Sequence, residues 1–166
     1  MNTKIDPFDA YHETIEKLSG EGVLIVAGDP PNPMTIGWGT LGVIWGMPVF
    51  TVLVRPTRYT FQLMESSPEF SVNVLPDEFS KQLSFCGTRS GRNIDKIKEC
   101  GFTMLTGIEI STPFINEAII HYECRMVEKN KLDPDTLDLQ VIKRYYPLKD
   151  FHTVYYGEIV GVYRKS

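Results

Sequence analysis

The pattern of apolar and polar positions predicts a short N-terminal helix followed mainly by strands. Apolar residues recur at near-helical spacing over residues 7–19, which predicts an amphipathic helix that ends near Gly20. Seven later segments alternate in polarity or form short apolar runs bounded by turn residues, as strands do. These predicted strands are residues 22–28, 34–41, 49–54, 70–75, 118–129, 137–146 and 153–165.

Three further short helices are predicted between these strands, from residues that favour helix starts and ends. Their predicted limits are Thr57 to about Ser66, Asp77 to Gly87, and Ser90 or Asn93 to Gly101. Gly87 is expected to end its helix in the left-handed conformation, and Gly101 is expected to end the last of these helices. Many short strands with few helices favour a closed or nearly closed antiparallel barrel, which we expect to be one domain over residues 1–166.

Composition and charge exclude some classes of function. The chain has 166 residues, of which 42% are apolar and 23% charged, and its formal net charge is −4. Nucleic acids and membrane surfaces usually require a basic face, so an acidic balance argues against both as general partners.

The cysteines and the N-terminus predict a cytoplasmic protein. Cys86, Cys100 and Cys124 are odd in number, and their spacing fits neither a disulfide framework nor a zinc site. The first residues are polar and charged, where a signal peptide would need an apolar core. No histidine pair has metal-ligand spacing, so no metal is expected.

Two stretches depart from the acidic average. Residues 30–64 contain no Asp or Glu, and their only charged residues are Arg55 and Arg58. A second cationic group lies in the loop 89–96, which also contains Ser90 and Gly91. Arginines and backbone N–H groups near glycine suit an anion such as phosphate. The alternatives are solvated surface charges and an ordinary polar loop.

The segment GWGTLG, residues 37–42, matches the glycine spacing of a dinucleotide-binding fingerprint but not its context. The fingerprint opens a helix and is followed about 20 residues later by an acidic residue. Here the glycines lead into a predicted strand, and the first acidic residue downstream is Glu65. We therefore do not predict a Rossmann fold.

Five segments, in this order, carry a resemblance to a known family: NPMTIGWGTLG, RPTRYT, FSVNVL, CGTRSGRNIDK and DFHTVYYGEIV. Together they resemble the flavin reductase-like FMN-binding split-barrel family, most closely its flavoredoxin type. The resemblance implies a mainly β fold, an antiparallel split β-barrel of Greek-key type with a few short helices. It also implies FMN as cofactor and a homodimer, and longer members of the family continue with a C-terminal segment that helps to cover the flavin.

The resemblance implies a set of site residues. Expected cofactor contacts are Asn32, Met34, Thr35, Trp38, Gly39, Thr40, Arg55, Arg58, Tyr59, Thr60, Asn73, Cys86, Gly87, Ser90, Gly91 and Lys96. Lys96 is the preferred phosphate or ribityl contact, and Trp38 the preferred wall of the flavin ring. His152 is the expected catalytic residue, facing the flavin and a nicotinamide pocket, whereas His12 and His121 are expected to be structural.

The activity implied is hydride transfer from NADH or NADPH to N5 of the flavin. An alternative is a flavoredoxin-type electron carrier that keeps FMN bound and takes electrons from a partner protein without NAD(P)H activity. A third hypothesis, from a different class, is a barrel that binds an apolar ligand and has no redox role.

Overall fold

One antiparallel sheet of eight strands forms most of the computed structural model, which describes residues 1–166. Its strands are β1 (Asn2–Lys4), β2 (Val23–Ala27), β3 (Asn32–Ile36), β4 (Gly39–Ile44), β5 (Met47–Val54), β6 (Glu69–Val74), β9 (Ile120–Lys131) and β10 (Thr153–Lys165). A separate pair consists of β7 (Met104–Leu105) and β8 (Phe114–Ile115). The helices are α1 (Tyr11–Ser19), α2 (Tyr59–Ser66), α3 (Ser80–Thr88), α4 (Lys96–Cys100) and α5 (Leu139–Tyr145).

The strand order makes the sheet a split barrel. The order is β3-β2-β6-β9-β10-β5-β4, with β1 added to β10. The edge strands β3 and β4 follow one another in the chain and are joined only by Gly37 and Trp38. The two edges therefore return to the same place without pairing, which confirms the predicted mainly β, antiparallel split barrel.

The barrel interior is filled by side chains. Phe50, Phe70, Tyr122 and Tyr155 have no exposed surface, and the rings of Phe50 and Tyr122 are 5.3 Å apart. Helix α1 covers this core, and the hydroxyls of its Thr14 and of Tyr122 lie 2.7 Å apart. These side chains occupy the space inside the barrel where the third hypothesis would place an apolar ligand.

Strand β2 is buried on both faces, which explains its continuous apolar run. One face lies in the barrel core, and the other packs under α3, where Leu24 and Val26 contact Leu83 and Cys86. Two-sided burial requires apolar residues at successive positions rather than alternation. The helix α3 is thus fixed beside β3, at the split of the barrel.

Two of the predicted strands were wrong. Residues 137–146 contain the helix α5, because the Asp138 side chain accepts hydrogen bonds from the N–H groups of Gln140 and Val141 and starts a helix. The predicted strand 34–41 is interrupted at residues 37 and 38, and Gly39 begins a new strand.

Helix limits also differ from the predictions. Helix α1 begins at Tyr11 rather than near residue 7, and Asp77–Phe79 form a short 3-10 helix before α3 begins at Ser80. Helix α2 begins at Tyr59 after Arg58, without a side-chain cap from Thr57. Gly87 lies inside α3, which continues to Thr88. Asp95, rather than Ser90 or Asn93, caps α4 by accepting a hydrogen bond from the Lys98 N–H. The predicted end of α4 at Gly101 is confirmed, and Gly101 adopts the left-handed conformation with φ of 67°. None of the helices is both long and apolar enough to cross a bilayer.

Candidate functional site

Two adjoining cavities lie at the split of the barrel. The larger has a volume of about 480 Å³ and is lined by Met34, Thr35, Ile36, Gly37, Trp38, Leu53, Arg55, Thr57, Arg58, Asp150 and His152. The smaller has a volume of about 80 Å³ and is lined by Asn32, Met34, Thr57, Arg58, Tyr59, Thr60, Arg89, Ser90, Gly91, Arg92 and Lys96. They share Met34, Thr57 and Arg58, so they form one continuous site.

Three parts of the fold position the larger cavity. Strand β3 forms one wall, and its exposed continuation holds Trp38. The corner between β5 and α2 contributes residues 55–58, because Pro56 ends the strand before the helix begins. The segment that follows α5 contributes Asp150 and His152.

Arg55 binds the segment that follows α5 and holds it against the cavity. Its guanidinium pairs with the Asp150 carboxylate at 2.7 Å and donates to the carbonyl oxygen of Tyr145 at 2.9 Å. It also lies 5.1 Å from the ring centre of Tyr146. The sequence near Arg55 offers no acid, but the fold supplies one from 95 residues away. Arg55 therefore holds residues 145–152 in place as well as lining the cavity.

His152 is a neutral imidazole in this environment. Its side chain is 7% exposed, and its Nδ1 lies 2.8 Å from the Tyr146 hydroxyl. Burial, with a smaller effect of Arg55, lowers the pKa of His152 to about 4. Burial raises the pKa of the Tyr146 phenol, so this hydroxyl keeps its proton, and it shares one hydrogen bond with Nδ1 of His152. The ring centres of His152 and Trp38 lie 5.0 Å apart.

This lowered pKa predicts a pH dependence of folding. An unfolded histidine has a pKa of about 6.5. Between pH 6.5 and about pH 4, therefore, the histidine is protonated in the unfolded chain but neutral in the folded protein. The free energy of unfolding is unaffected by protonation of this residue above pH 6.5 and decreases as the pH falls toward 4. We expect His152 to contribute about 3 kcal/mol of this loss.

The measurement is the free energy of unfolding in urea at pH 7 and pH 4.5, for the wild type and His152→Gln. Glutamine does not titrate and can still form a hydrogen bond with Tyr146. The wild type should lose more stability than the variant between the two pH values. Equal losses would show that His152 titrates normally.

The smaller cavity is cationic. Arg58, Arg89, Arg92 and Lys96 line it, and no carboxylate does. The Arg89 guanidinium is exposed and has no hydrogen bond or ion pair within the chain. Arg92 lies over the ring of Tyr59, at 5.6 Å from its centre, and donates to the Thr57 carbonyl oxygen. This concentration of positive charge suits an anion of two negative charges.

Lys96 lies deeper than the arginines, with 3% of its surface exposed. Its ammonium donates to the carbonyl oxygens of Cys86, at 2.8 Å, and Pro33, at 3.1 Å. Burial lowers the pKa of Lys96, and the charge of Arg58 adds to this effect. An ammonium has three N–H donors, so one remains for a ligand in the cavity.

Gly91 brings the backbone close to the cavity wall. A Cβ atom at this position would lie 1.9 Å from Oδ1 of Asn32 and 2.9 Å from the ring of Tyr59. Asn32 is itself fixed, because its amide donates to the Thr60 hydroxyl at 2.9 Å. Only glycine therefore allows the loop 89–92 to approach the end of β3 this closely.

Most of the residues expected from the sequence converge on these cavities. They are Asn32, Met34, Thr35, Trp38, Arg55, Arg58, Tyr59, Thr60, Ser90, Gly91, Lys96 and His152. Thr35 reaches the larger cavity, although its hydroxyl donates to the Leu83 carbonyl oxygen at 2.6 Å. Cys86 and Gly87 line neither cavity, but their carbonyl oxygens accept hydrogen bonds from Lys96 and Arg58.

Three further expected contacts also lie outside both cavities. Gly39 and Thr40 are on β4, where the Thr40 N–H donates to the Thr51 hydroxyl. Asn73 is completely buried in the barrel wall, and its side chain bonds to Ser71, Leu24 and Ile115. Its hydrogen-bonding capacity is used within the protein, so the geometry gives Asn73 a structural role.

Sequence reasoning missed several residues of the site. Asp150 stands in the quoted DFH motif, so the motif offered a signal for it. Tyr146, in contrast, fell in a segment predicted as a strand, and nothing local indicated its contact with His152. Arg89 and Arg92 were recognised as cationic but were not selected as contacts.

Comparison with known proteins agrees with the fold. The family model described as "Flavin reductase like domain" matches residues 17–166. The chain belongs to this family. Its structural neighbours include flavoredoxins and FMN-binding proteins, and the split and the two cavities of the present structure occur within the matched residues.

The chain matches different shares of the length of its relatives. An uncharacterized protein of Archaeoglobus fulgidus is 30% identical over 115 residues, which is 69% of this chain and 64% of the relative. The flavoredoxin of Methanosarcina acetivorans is 28% identical with a TM-score of 0.68, over 87% of this chain and 69% of that one. An NADH:FAD oxidoreductase of Streptomyces globisporus C-1027 is 22% identical with a TM-score of 0.67, over 97% and 86% of the two chains, and shows likeness of fold alone. The chain thus spans less than two thirds of the Archaeoglobus relative.

Proposed function

We propose that the protein binds FMN across the two cavities and acts as an NAD(P)H-dependent flavin oxidoreductase. The observation that carries this proposal is the cationic cavity, with four basic side chains and no carboxylate, opening into a larger cavity with an aromatic wall. The phosphate of FMN carries a charge of roughly −2 at neutral pH. The isoalloxazine ring of FMN is flat and largely apolar. Family membership supports the same cofactor.

The residues present fit the phosphate of FMN. Arg89 has a free guanidinium, and Lys96 has one N–H donor left after binding two carbonyl oxygens. Gly91 lets the loop backbone pack directly against the side chains of Asn32 and Tyr59 at the cavity wall. Arg58 lies at the junction of the cavities, where it would face both the phosphate end and the ring end.

The larger cavity suits the ring. Met34, Leu53 and Trp38 provide apolar surface, and the backbone of residues 35–37 provides polar groups at its edge. Bound FMN supplies the hydride- and electron-accepting chemistry, which needs no strong protein base. His152 offers an N–H donor from a neutral ring, and Arg55 keeps the segment that carries it in position. Trp38, 38% exposed, stands at the open side, where we expect the nicotinamide of NADH or NADPH to enter.

The second candidate is an electron carrier that has no NAD(P)H activity. Its support is the likeness to a flavoredoxin and an exposed apolar and basic surface beside the cavity. Leu139, Tyr145 and Leu148 are exposed in or just after α5, together with Lys143 and Arg144. Such a surface suits a partner protein that delivers electrons.

Anaerobic mixing separates the two candidates. FMN-loaded protein mixed with NADH or NADPH should lose its absorbance near 450 nm, an approximate value that belongs to the cofactor. We expect rapid bleaching with at least one nicotinamide, and slowing of about tenfold or more in His152→Ala because an orienting donor is lost. Thr40→Ala, outside both cavities, is the matched control and should bleach normally. Persistent colour with both nicotinamides would exclude the reductase and leave the carrier.

The homodimer and the cytoplasmic location remain proposals. Exposed large apolar side chains at Val43, Trp45 and Leu139 support burial of further surface by a second copy or another partner. A second subunit would also cover the open side of the larger cavity.

A further inference from the structure

Two cysteine side chains meet between α3 and α4. The Sγ atoms of Cys86 and Cys100 are 3.7 Å apart, and both residues are free thiols. A disulfide places these atoms at about 2.05 Å, so closing the bond needs a movement of less than about 2 Å. Cys86 is completely buried, whereas Cys100 is partly exposed near the end of the short helix α4. An oxidant therefore reaches Cys100 first.

The pair encloses the cationic loop. Arg89, Ser90, Gly91, Arg92 and Lys96 all lie between Cys86 and Cys100 in the chain and all line the smaller cavity. The attachment is also direct, because Lys96 donates to the carbonyl oxygen of Cys86 at 2.8 Å. A covalent bond between the two cysteines would tie both ends of this loop together.

We propose that Cys86 and Cys100 form a reversible disulfide that restrains the loop 87–99 and strengthens the binding of FMN. The ligand in this statement rests on the proposed function. Restraint of the free loop lowers the conformational entropy that is lost when a ligand binds, so the oxidised protein should hold the phosphate more tightly.

Hydrogen peroxide is a suitable oxidant. The Cys100 thiol, as thiolate, attacks one peroxide oxygen, the O–O bond breaks, and the released hydroxide takes up a proton to form water. The sulfenic acid on Cys100 is then attacked by the Cys86 sulfur, the S–O bond breaks, and a second water leaves with the Cys86 proton. Burial raises the pKa of Cys86 to about 12 and also raises the pKa of Cys100. Both thiols are thus protonated at neutral pH, and the reaction requires sustained peroxide rather than brief exposure.

The covalent step is tested without flavin. Protein treated with hydrogen peroxide should fall from three free thiols to one, and peptide mapping without reductant should link Cys86 to Cys100. Dithiothreitol should restore all three thiols. Three remaining thiols, or a link that involves Cys124, would overturn the proposal. Cys100→Ser is the matched control and should form no internal link.

The effect on binding is measured on the oxidised and the reduced protein with FMN and with riboflavin. Oxidation should lower the FMN dissociation constant by about threefold or more, and leave that of riboflavin unchanged because it lacks the phosphate. An FMN dissociation constant that is the same in the oxidised and the reduced protein would overturn the proposal that the disulfide strengthens FMN binding. If neither form binds FMN, the proposed function fails. The rate of cleavage by trypsin then tests separately whether the disulfide restrains the loop 87–99. Cleavage after Arg89 and Arg92 should be slower in the oxidised protein, and equal rates would overturn this restraint.

Discussion

Replacing Lys96 by methionine is expected to weaken the binding of FMN by about 100-fold, which corresponds to about 2.7 kcal/mol. Methionine fills much of the same space but donates no hydrogen bond and carries no charge. Riboflavin has no phosphate, so its affinity should change by less than about threefold. Two buried carbonyl oxygens, of Cys86 and Pro33, also lose their donor, which should lower the free energy of unfolding by about 2 to 4 kcal/mol.

The measurement is calorimetric titration of both ligands, at a temperature where urea denaturation shows the variant to be folded. Lys98→Met is the matched control, because Lys98 lies on the same helix with an exposed side chain. It should bind FMN normally. An equal loss of affinity for FMN and riboflavin in Lys96→Met would remove Lys96 from the phosphate site.

Replacing Asn73 by alanine is expected to lower the free energy of unfolding by about 3 kcal/mol, with little effect on the flavin. The Asn73 side chain accepts a hydrogen bond from the Ile115 N–H at 2.8 Å and donates to the Ser71 hydroxyl at 3.0 Å. Alanine leaves the Ile115 N–H buried without a partner, in the wall between β6 and β8. Asn73 lines neither cavity, so the FMN affinity of the folded variant should stay within about twofold of the wild type.

Urea denaturation and FMN titration of the same preparation test this prediction. Asn130→Ala is the control, because Asn130 is exposed near the end of β9, and its loss should be below about 0.5 kcal/mol. A tenfold loss of FMN affinity in Asn73→Ala without loss of stability would show that Asn73 reaches the flavin, as the sequence resemblance implied.

The barrel was predictable from sequence where burial dictates the residue pattern. Strand β2 is an unbroken apolar run because both of its faces are covered, and β10 is a long β-rich segment because it pairs with two central strands and β1. Helix α5 was predicted as a strand. None of its residues is buried, so packing against the core does not set the spacing of its apolar residues. An exposed segment carries no periodicity that the core would impose.

The cationic cavity was predictable because its residues cluster in two short segments of the sequence. The environment of His152 was not. Its properties depend on Tyr146, from a segment assigned to the wrong element, and on the pair of Arg55 with Asp150, which joins two distant parts of the chain. Contacts of this kind arise from the closure of the barrel and leave no local pattern.

The central claim is that the cationic cavity holds the phosphate of FMN beside a ring site at the split of the barrel. Calorimetric titration of the purified protein with FMN and riboflavin, at low and at raised salt, tests it most directly. We predict one FMN per chain, bound about 100-fold more tightly than riboflavin, with a difference that narrows as salt screens the basic side chains. Absence of FMN binding, or equal affinities for the two flavins at both salt concentrations, would contradict it.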